Sequence, residues 1–94
     1  MSIDITHDAA GRRFVSTVDG HTSAIDYALD AGVMTILHTN VPQAVGGRGI
    51  AGELTRCALD TARGKQWTVI PQCSYVRAFI DKHTEYQDLL AVGH

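Results

Sequence analysis

Hydrophobic and polar positions change their spacing near the middle of this chain. Up to residue 40 they alternate in short runs that predict β-strands over residues 3–7, 13–18, 23–29 and 33–39. Asp19-Gly20 and Asp30-Ala31-Gly32 supply turn residues between these runs. The last run, 33–39, is apolar on both faces, which predicts an internal strand covered by helices. The first half is therefore expected to form an antiparallel meander.

From residue 50 the spacing becomes that of a helix. Apolar side chains recur at steps of three and four over 50–63, and Gly64 is the expected C-terminal stop. A further strand, 66–70, is halted by Pro71. Because the chain then reads strand, helix, strand, the strands 33–39 and 66–70 should be parallel. The predicted fold class is α/β, a mixed sheet with an N-terminal antiparallel meander and one parallel βαβ crossover.

The C-terminal part predicts a short last helix followed by a docking tail. Ser74 is the expected N-cap. The side chains expected to face inward are Tyr75, Val76, Phe79, Ile80 and His83. In the tail from residue 84, the residues expected to dock on the core are Tyr86, Leu89, Leu90 and Val92.

Composition places the chain among soluble globular proteins. It has 94 residues, 45% hydrophobic and 19% charged, which predicts one domain over residues 1–94. No apolar run approaches the roughly 20 residues that span a bilayer. The start of the sequence lacks the basic-then-apolar layout of a secretory signal, so a cytoplasmic location is expected. Cys57 and Cys73 form no CxxC pair and the five histidines are dispersed, so neither a disulfide framework nor a metal site is expected.

Charge is distributed unevenly along the chain. Residues 1–47 carry two basic and five acidic groups, whereas residues 48–94 carry six basic and five acidic groups. This slight basic excess in the second half suits a phosphate-bearing small molecule. It falls well short of the basic stripe that nucleic-acid binding requires, so nucleic acid is not an expected partner.

A glycine-rich turn between the fourth strand and the helix carries the most information about function. Gly46-Gly47-Arg48-Gly49-Ile50-Ala51 leads directly into the helix N-terminus. Backbone N–H groups there lack partners and face the positive end of the helix dipole, which makes an anion site. Arg48 adds a charge that persists at physiological pH. A flexible strand-to-helix connection is the alternative interpretation of the same glycines.

This order of elements, with a glycine loop opening the crossover helix, resembles the Gcn5-related N-acetyltransferase (GNAT) superfamily. Members of that superfamily hold the pyrophosphate of acetyl-coenzyme A on the loop pattern Gln/Arg-x-x-Gly-x-Gly/Ala. Gly49 and Ala51 match its last two marked positions, and Gly46 stands where Gln or Arg is expected. Backbone donors of the loop can act without that side chain.

Several blocks resemble, more narrowly, the NATD1-like family of minimal single-domain N-acetyltransferases. They are His38-Thr39-Asn40-Val41-Pro42, Gly47 to Ala51, Pro71-Gln72-Cys73-Ser74-Tyr75-Val76, and the residues from Phe79 to Tyr86. The Pro-x-Cys-x-Tyr-Val block is the most specific of them. Asn40 stands where the family often has glutamate, which removes one candidate general base. The extra N-terminal helices that shape the acceptor site in larger GNAT enzymes have no counterpart here.

The resemblance implies acetyl-CoA or coenzyme A as cofactor and a set of residues that bind it. The pantetheine arm would pair with the strand edge at Thr39 to Val41, with the N–H of Val41 nearest the thioester end. The implied cofactor-binding residues are Thr39, Asn40, Val41, Gly46, Gly47, Arg48, Gly49, Ile50, Ala51, Gly52, Cys73 and Ser74. Arg77 and Lys82 could also meet coenzyme A phosphates, or could be solvated surface charge.

Three residues are candidates for catalysis. Cys73 begins the last helix, where the helix dipole favours thiolate, so it could carry an acetyl group or line the acetyl pocket; a small packing residue is the alternative. Cys57, on the apolar face of the long helix, is expected in the core. Tyr75 could protonate the leaving thiolate or form an aromatic wall. His38 could be the base or a hydrogen-bonded structural residue.

Two functions follow from these residues. The first is a minimal acetyl-CoA-dependent N-acetyltransferase that acts on an unidentified amine, on a small molecule or a protein. The second is a coenzyme A-binding module with weak or lost catalysis, which Asn40 and the missing acceptor region favour. A second copy of the chain, in a homodimer, could complete the acceptor wall.

Overall fold

The computed structural model describes residues 3–91 as one mixed sheet with helices packed on one face. The strands are β1 (Thr6–Asp8), β2 (Arg13–Val18), β3 (His21–Asp30), β4 (Val33–Asn40) and β5 (Thr68–Pro71), and the helices are α1 (Ile50–Gly64) and α2 (Ser74–Lys82). Short 3₁₀ segments span Gln43–Val45 and Thr84–Leu89. The strand order follows the chain, antiparallel from β1 to β4 and parallel between β4 and β5. The predicted meander and crossover are confirmed.

Tight turns connect the meander where the sequence predicts them. Asp19 and Gly20 have φ of 51° and 76°, and Ala31 and Gly32 have φ of 50° and 78°. Two successive positive φ angles are those of a type I′ turn, whose twist matches that of the flanking strands. The hairpins β2–β3 and β3–β4 are thus set by local turn chemistry.

A single apolar core lies between the sheet and the helices. Its largest fully buried side chains come from every layer of the fold, among them Phe14, Ile25, Met34, Ile36, Leu54, Leu59 and Ile80. Each such side chain contributes roughly 1.5–3 kcal/mol through the hydrophobic effect. β4 is internal, as predicted, but only Met34 and Ile36 are buried, whereas Val33 and Leu37 are half-buried. Helices therefore do not cover both faces of this strand.

A β-bulge in β4 reverses the direction of its side chains. Tyr27 pairs with Ile36 but Asp26 pairs with His38, so Leu37 is an extra residue on β4. Residues directly opposite each other on neighbouring strands point to the same face. Thr39, opposite the buried Ile25, therefore points toward the helices. His38, opposite Asp26, points to the other face.

The α1 helix ends in a motif that the sequence did not predict. The N–H of Trp67 donates to the carbonyl of Ala62 (2.8 Å) and that of Gln66 to Arg63 (3.2 Å), which is a Schellman motif. Its left-handed residue is Gln66, with φ 61°, and not Gly64. Because Gln66 and Trp67 serve the helix end, β5 begins at Thr68 and not at residue 66.

Replacement of Gln66 by glycine is expected to stabilise the protein. The left-handed conformation costs an L-residue about 1–2 kcal/mol, and glycine avoids that cost while losing more entropy on folding. We expect a net gain of about 0.5–1 kcal/mol in the free energy of unfolding by urea. Gln66→Ala is the matched control, because alanine keeps the strain and should give no such gain. Equal stability of the two variants would contradict the assignment of strain to this position.

The tail docks onto α1 as predicted. Tyr86 is buried, and its hydroxyl donates to Asp60 (2.8 Å) and accepts from Arg56 (3.2 Å). Arg63 forms two hydrogen bonds with Asp88, of 2.9 and 3.0 Å. Leu89 is buried and Leu90 is 37% exposed, while Val92 lies outside the described residues. Within residues 3–91, no helix is long and apolar enough to cross a membrane.

Candidate functional site

β4 and β5 separate at their carboxyl ends and leave a gap beside α2. The last pair between the two strands is Ile36 with Pro71, and the N–H of Cys73 then donates to the carbonyl of Ile36 (3.1 Å). β4 continues to Asn40, so in the described part of the chain residues 37–40 have no β5 partner. We call this gap, between residues 37–41 and Cys73, the β4–β5 notch.

Cys73 and Thr39 face each other across the notch. The Thr39 Oγ1 atom lies 3.4 Å from the Cys73 Sγ atom. Cys73 is the N-cap residue of α2, and Ser74 is its first helical residue, so the predicted cap at Ser74 is wrong by one position. The bulge explains the contact. Without the extra residue Leu37, His38 and not Thr39 would point toward the helices.

The surroundings of Cys73 favour its thiolate. Burial raises the pKa of this thiol, but a hydrogen bond from the Thr39 hydroxyl and the dipoles of nearby backbone N–H groups outweigh burial and bring the pKa below its usual value. Those N–H groups belong to Val76, Tyr75 and Thr39. The Cys73 side chain forms no capping hydrogen bond with the first turn of α2. The N–H groups there act on the sulfur mainly as dipoles. Helix N-termini lower thiol pKa values in this way.

Cys57 has the opposite environment. It is partly buried on α1 against the core, as expected of a packing residue. Burial raises the pKa of its thiol, only partly offset by a hydrogen bond with Thr61. The thiol pKa values of the two cysteines are therefore shifted in opposite directions, and Cys73 is expected to be the more reactive.

The glycine loop presents backbone donors next to the notch. Gly47 and Gly49 have φ of 79° and 78°, and Gly49 is the N-cap of α1. Among the described residues, the N–H groups from Gly47 to Gly52 have no protein acceptor. A Cβ added at Gly47 or at Gly49 would meet nothing within 4 Å, so the space beside these two residues is open. Unpaired N–H groups at the start of a fifteen-residue helix fit a phosphate.

Two basic residues near the loop, Arg48 and Arg77, already have partners. Arg48 forms an ion pair of 2.5 Å with Asp19 on the β2–β3 turn, an acidic partner that the sequence did not indicate. Arg77 donates to the carbonyl of Pro71 (3.2 Å). Lys82 lines a cavity of about 210 Å³ on α2, together with Tyr75 and His83.

Tyr75 lies between the two helices at the surface. It is 43% exposed, so the prediction that it faces inward is wrong. The residues that α2 buries are Val76, Phe79 and Ile80, and Tyr75 falls at the border of that stripe. Its hydroxyl would lie 3.5 Å from a Cβ at Gly52, which puts it beside the first turn of α1. His83 stacks on Phe79, with 3.9 Å between ring centroids, as a packing residue should.

His38 stands apart from Cys73. It is exposed, on the face of the sheet away from the helices, in one row with Asp26 and Arg13. Arg13 Nε and Asp26 Oδ1 lie 3.3 Å apart. Asn40 is also exposed and shares that face. This division could not be predicted, because the bulge that causes it has no glycine or proline to mark it.

Sheet order, crossover helix, glycine loop and notch together define the fold of the GNAT acyltransferases. A sequence model of the GCN5-related N-acetyltransferase family matches residues 13–89, and the chain belongs to this family. It is 31% identical over 84 residues to the bovine (Bos taurus) protein NATD1, spanning 86% of this chain and 74% of that protein. Human (Homo sapiens) NATD1 is 30% identical over 84 residues, which span 86% of this chain and 74% of that protein. The chain is therefore NATD1-like.

A solved structure agrees with this assignment. The solution structure of a GCN5-like protein from Staphylococcus aureus superimposes with a TM-score of 0.73 and 27% sequence identity. The match covers 100% of this chain and 97% of the other. The family and the fold thus rest on both sequence and structure.

Proposed function

We propose that the protein is an acetyl-CoA-dependent N-acetyltransferase that transfers an acetyl group to an amine. The observation that carries the proposal is the position of Cys73, with its lowered thiol pKa, in a notch beside a helix N-terminus rich in unpaired donors. Membership of an acetyltransferase family supports it. Acceptor identity is left open by the shape of the site.

The loop and the strand edge divide the work of binding. N–H groups of Gly47 to Gly52 would hold the pyrophosphate of coenzyme A, and Tyr75 would border it at Gly52. The β4 edge at Thr39 to Val41 would pair with the pantetheine amides, since β5 ends before this edge and no other strand within residues 3–91 covers it. When bound, acetyl-CoA supplies the activated thioester.

Cys73 would act as the acetyl carrier. Its thiolate attacks the thioester carbonyl carbon, a new carbon–sulfur bond forms, and the bond to the coenzyme A sulfur breaks. Tyr75 is the proposed donor of the proton that the departing thiolate takes. An amine then attacks acetyl-Cys73, and the Cys73 thiolate is released. The proton lost by the amine passes through solvent and restores the Tyr75 hydroxyl, whereas His38, on the other face of the sheet, takes no part in this step.

Titration of coenzyme A followed by acetyl transfer tests this proposal. We expect calorimetry to show saturable binding of acetyl-CoA, and intact-mass analysis to show one added acetyl group on the protein. Radiolabelled acetyl-CoA with a panel of amines then measures onward transfer. Absence of binding would contradict the proposal at its first step.

The second candidate function is a coenzyme A-binding module. Asn40 favours it, because a carboxamide cannot accept the amine proton that a glutamate could accept at this position. Binding without acetyl-Cys73 and without any acetylated amine would support this second function. In that case Cys73 lines the pocket only.

A further inference from the structure

A second cavity lies at the end of the sheet where β4 and β5 begin, far from the glycine loop. It has a volume of about 310 Å³ and is lined by His7, Arg12, Tyr27, Leu29, Lys65 and Trp67, among others. α1 has fifteen residues and so separates the two ends by about 22 Å. Nothing in acetyl transfer uses these side chains. The volume falls at the lower end of the range for small-molecule sites, about 300–1,000 Å³.

Aromatic rings form one wall of this cavity. The Tyr27 and Trp67 rings lie 6.3 Å apart between centroids, at 45°. His7 Nε2 and the Tyr27 hydroxyl are 2.6 Å apart, and the His7 ring stacks on Phe14 with 4.1 Å between centroids. Tyr27 is only 4% exposed, so the ring positions are fixed by packing. Such a wall suits a planar ring.

Two cations at this cavity lack acidic partners. Arg12 donates one hydrogen bond, to the carbonyl of Leu29 (3.2 Å), and the Lys65 Nζ atom lies 5.8 Å from the Trp67 ring centroid. Within residues 3–91, no carboxylate lies within 4 Å of either cation. The ion pairs of the fold instead use Arg13, Arg48, Arg56 and Arg63.

One acidic group, Asp8, lies near His7 at this end of the sheet. Asp8 accepts the backbone N–H of Gly11 (3.0 Å) in the β1–β2 turn. Burial lowers the pKa of His7, Lys65 lowers it further, and Asp8 opposes them. The lowered pKa of His7 disfavours its charged form, so Arg12 and Lys65 are the two cations that this cavity offers to an anion. The positive charge of the two cations remains available to a ligand.

The backbone is left-handed at Arg12 and next to Lys65. Arg12 has φ of 57°, and Gln66, between Lys65 and Trp67, has φ of 61°. Both cations line the same cavity.

We propose that this cavity binds a planar aromatic anion, with its ring against Trp67 and Tyr27 and its carboxylate or phosphate between Arg12 and Lys65. The site is independent of the acetyl-transfer site and does not rest on the proposed function. Arginine and lysine both recognise such anions, arginine in a bidentate manner.

The single tryptophan gives a specific readout for this site. In a ¹H–¹⁵N correlation spectrum of the whole chain, the indole N–H of Trp67 is a unique peak. Phenylacetate and phenyl phosphate are the probes, and the tighter of the two identifies the preferred anion. 2-Phenylethanol lacks the charge of phenylacetate, and acetate lacks its ring. We expect saturable movement of the Trp67 peak with an aromatic anion, at least about tenfold tighter than with 2-phenylethanol or acetate.

Charge-neutralising variants complete the test. Arg12→Gln/Lys65→Gln should weaken the aromatic anion about tenfold or more, since two charged contacts are removed. Lys82→Gln, on α2, is the matched control and should leave the affinity unchanged. The dispersion of the same spectra reports whether each variant is folded. An unmoved Trp67 peak, equal binding of 2-phenylethanol, or full affinity of the folded double variant would overturn the proposal.

Discussion

Replacement of Cys73 by alanine is expected to abolish acetylation of the protein by acetyl-CoA. The Cys73 thiol is the nucleophile that we propose, and its hydrogen-bonded environment lowers its pKa. Removal of a covalent nucleophile typically costs several orders of magnitude in rate, so we expect transfer to amines to fall at least about a thousandfold. Intact-mass analysis and peptide mapping after incubation with acetyl-CoA measure the first effect, and radiolabel transfer measures the second.

Cys57→Ala is the matched control for this prediction. It removes the other thiol, whose pKa is raised by burial, and should leave acetylation intact. Alkylation by iodoacetamide across pH separates the two further, because only thiolate reacts. Since the pKa of Cys73 is lowered and that of Cys57 raised, Cys73 should reach its half-maximal rate at the lower pH. Unchanged amine transfer in Cys73→Ala would mean that the thiol lines the pocket and carries no acetyl group.

Substitution of Gly49 by valine is expected to abolish binding of coenzyme A. The residue has φ of 78°, and its missing side chain leaves open the space in front of the loop donors. A valine there would occupy the space proposed for the pyrophosphate and would strain the helix start. We expect affinity to fall at least about a hundredfold, which is about 2.7 kcal/mol of binding free energy. Calorimetric titration of coenzyme A measures it.

Gly32→Val separates lost binding from lost stability. Gly32 also has φ of 78° and open space at its Cβ, but it lies in the β3–β4 turn, at the opposite end of the sheet. Both variants should lose a similar unfolding free energy, about 1–2 kcal/mol. Binding should remain only in Gly32→Val. Equal affinities of the two folded variants for coenzyme A would show that the pyrophosphate does not bind at Gly49.

Much of the fold could be predicted because its determinants are local. Asp19-Gly20 and Ala31-Gly32 form the expected turns, and the change from strand to helix spacing at Ile50 marks the crossover. Element ends were less certain. α1 ends through Gln66 instead of Gly64, since the Schellman motif depends on the contact of Trp67 with the preceding turn and on tertiary packing.

The site could be predicted only in part. Cys73 beside Thr39 is a meeting of residues 34 positions apart in the chain, and spacing alone does not predict such a contact. The resemblance placed both residues in one region, and the structure brings them together. His38 lies on the other face of the sheet, because the extra residue Leu37 reverses the side-chain directions in the last part of β4. The partner of Arg48 on the β2–β3 turn also depends on tertiary structure.

The extra residue at Leu37 divides β4 into two parts that have different pairing partners. Val33 to Ile36 pair with both β3 and β5 and contribute Met34 and Ile36 to the core, whereas His38 to Asn40 pair with β3 alone among the described strands. Changes of side-chain volume at Met34 or Ile36 are therefore expected to alter the stability of the protein, while β3 continues to set the orientation of residues 38–40. One inserted residue thus separates the part of β4 that packs in the core from the part that carries Thr39.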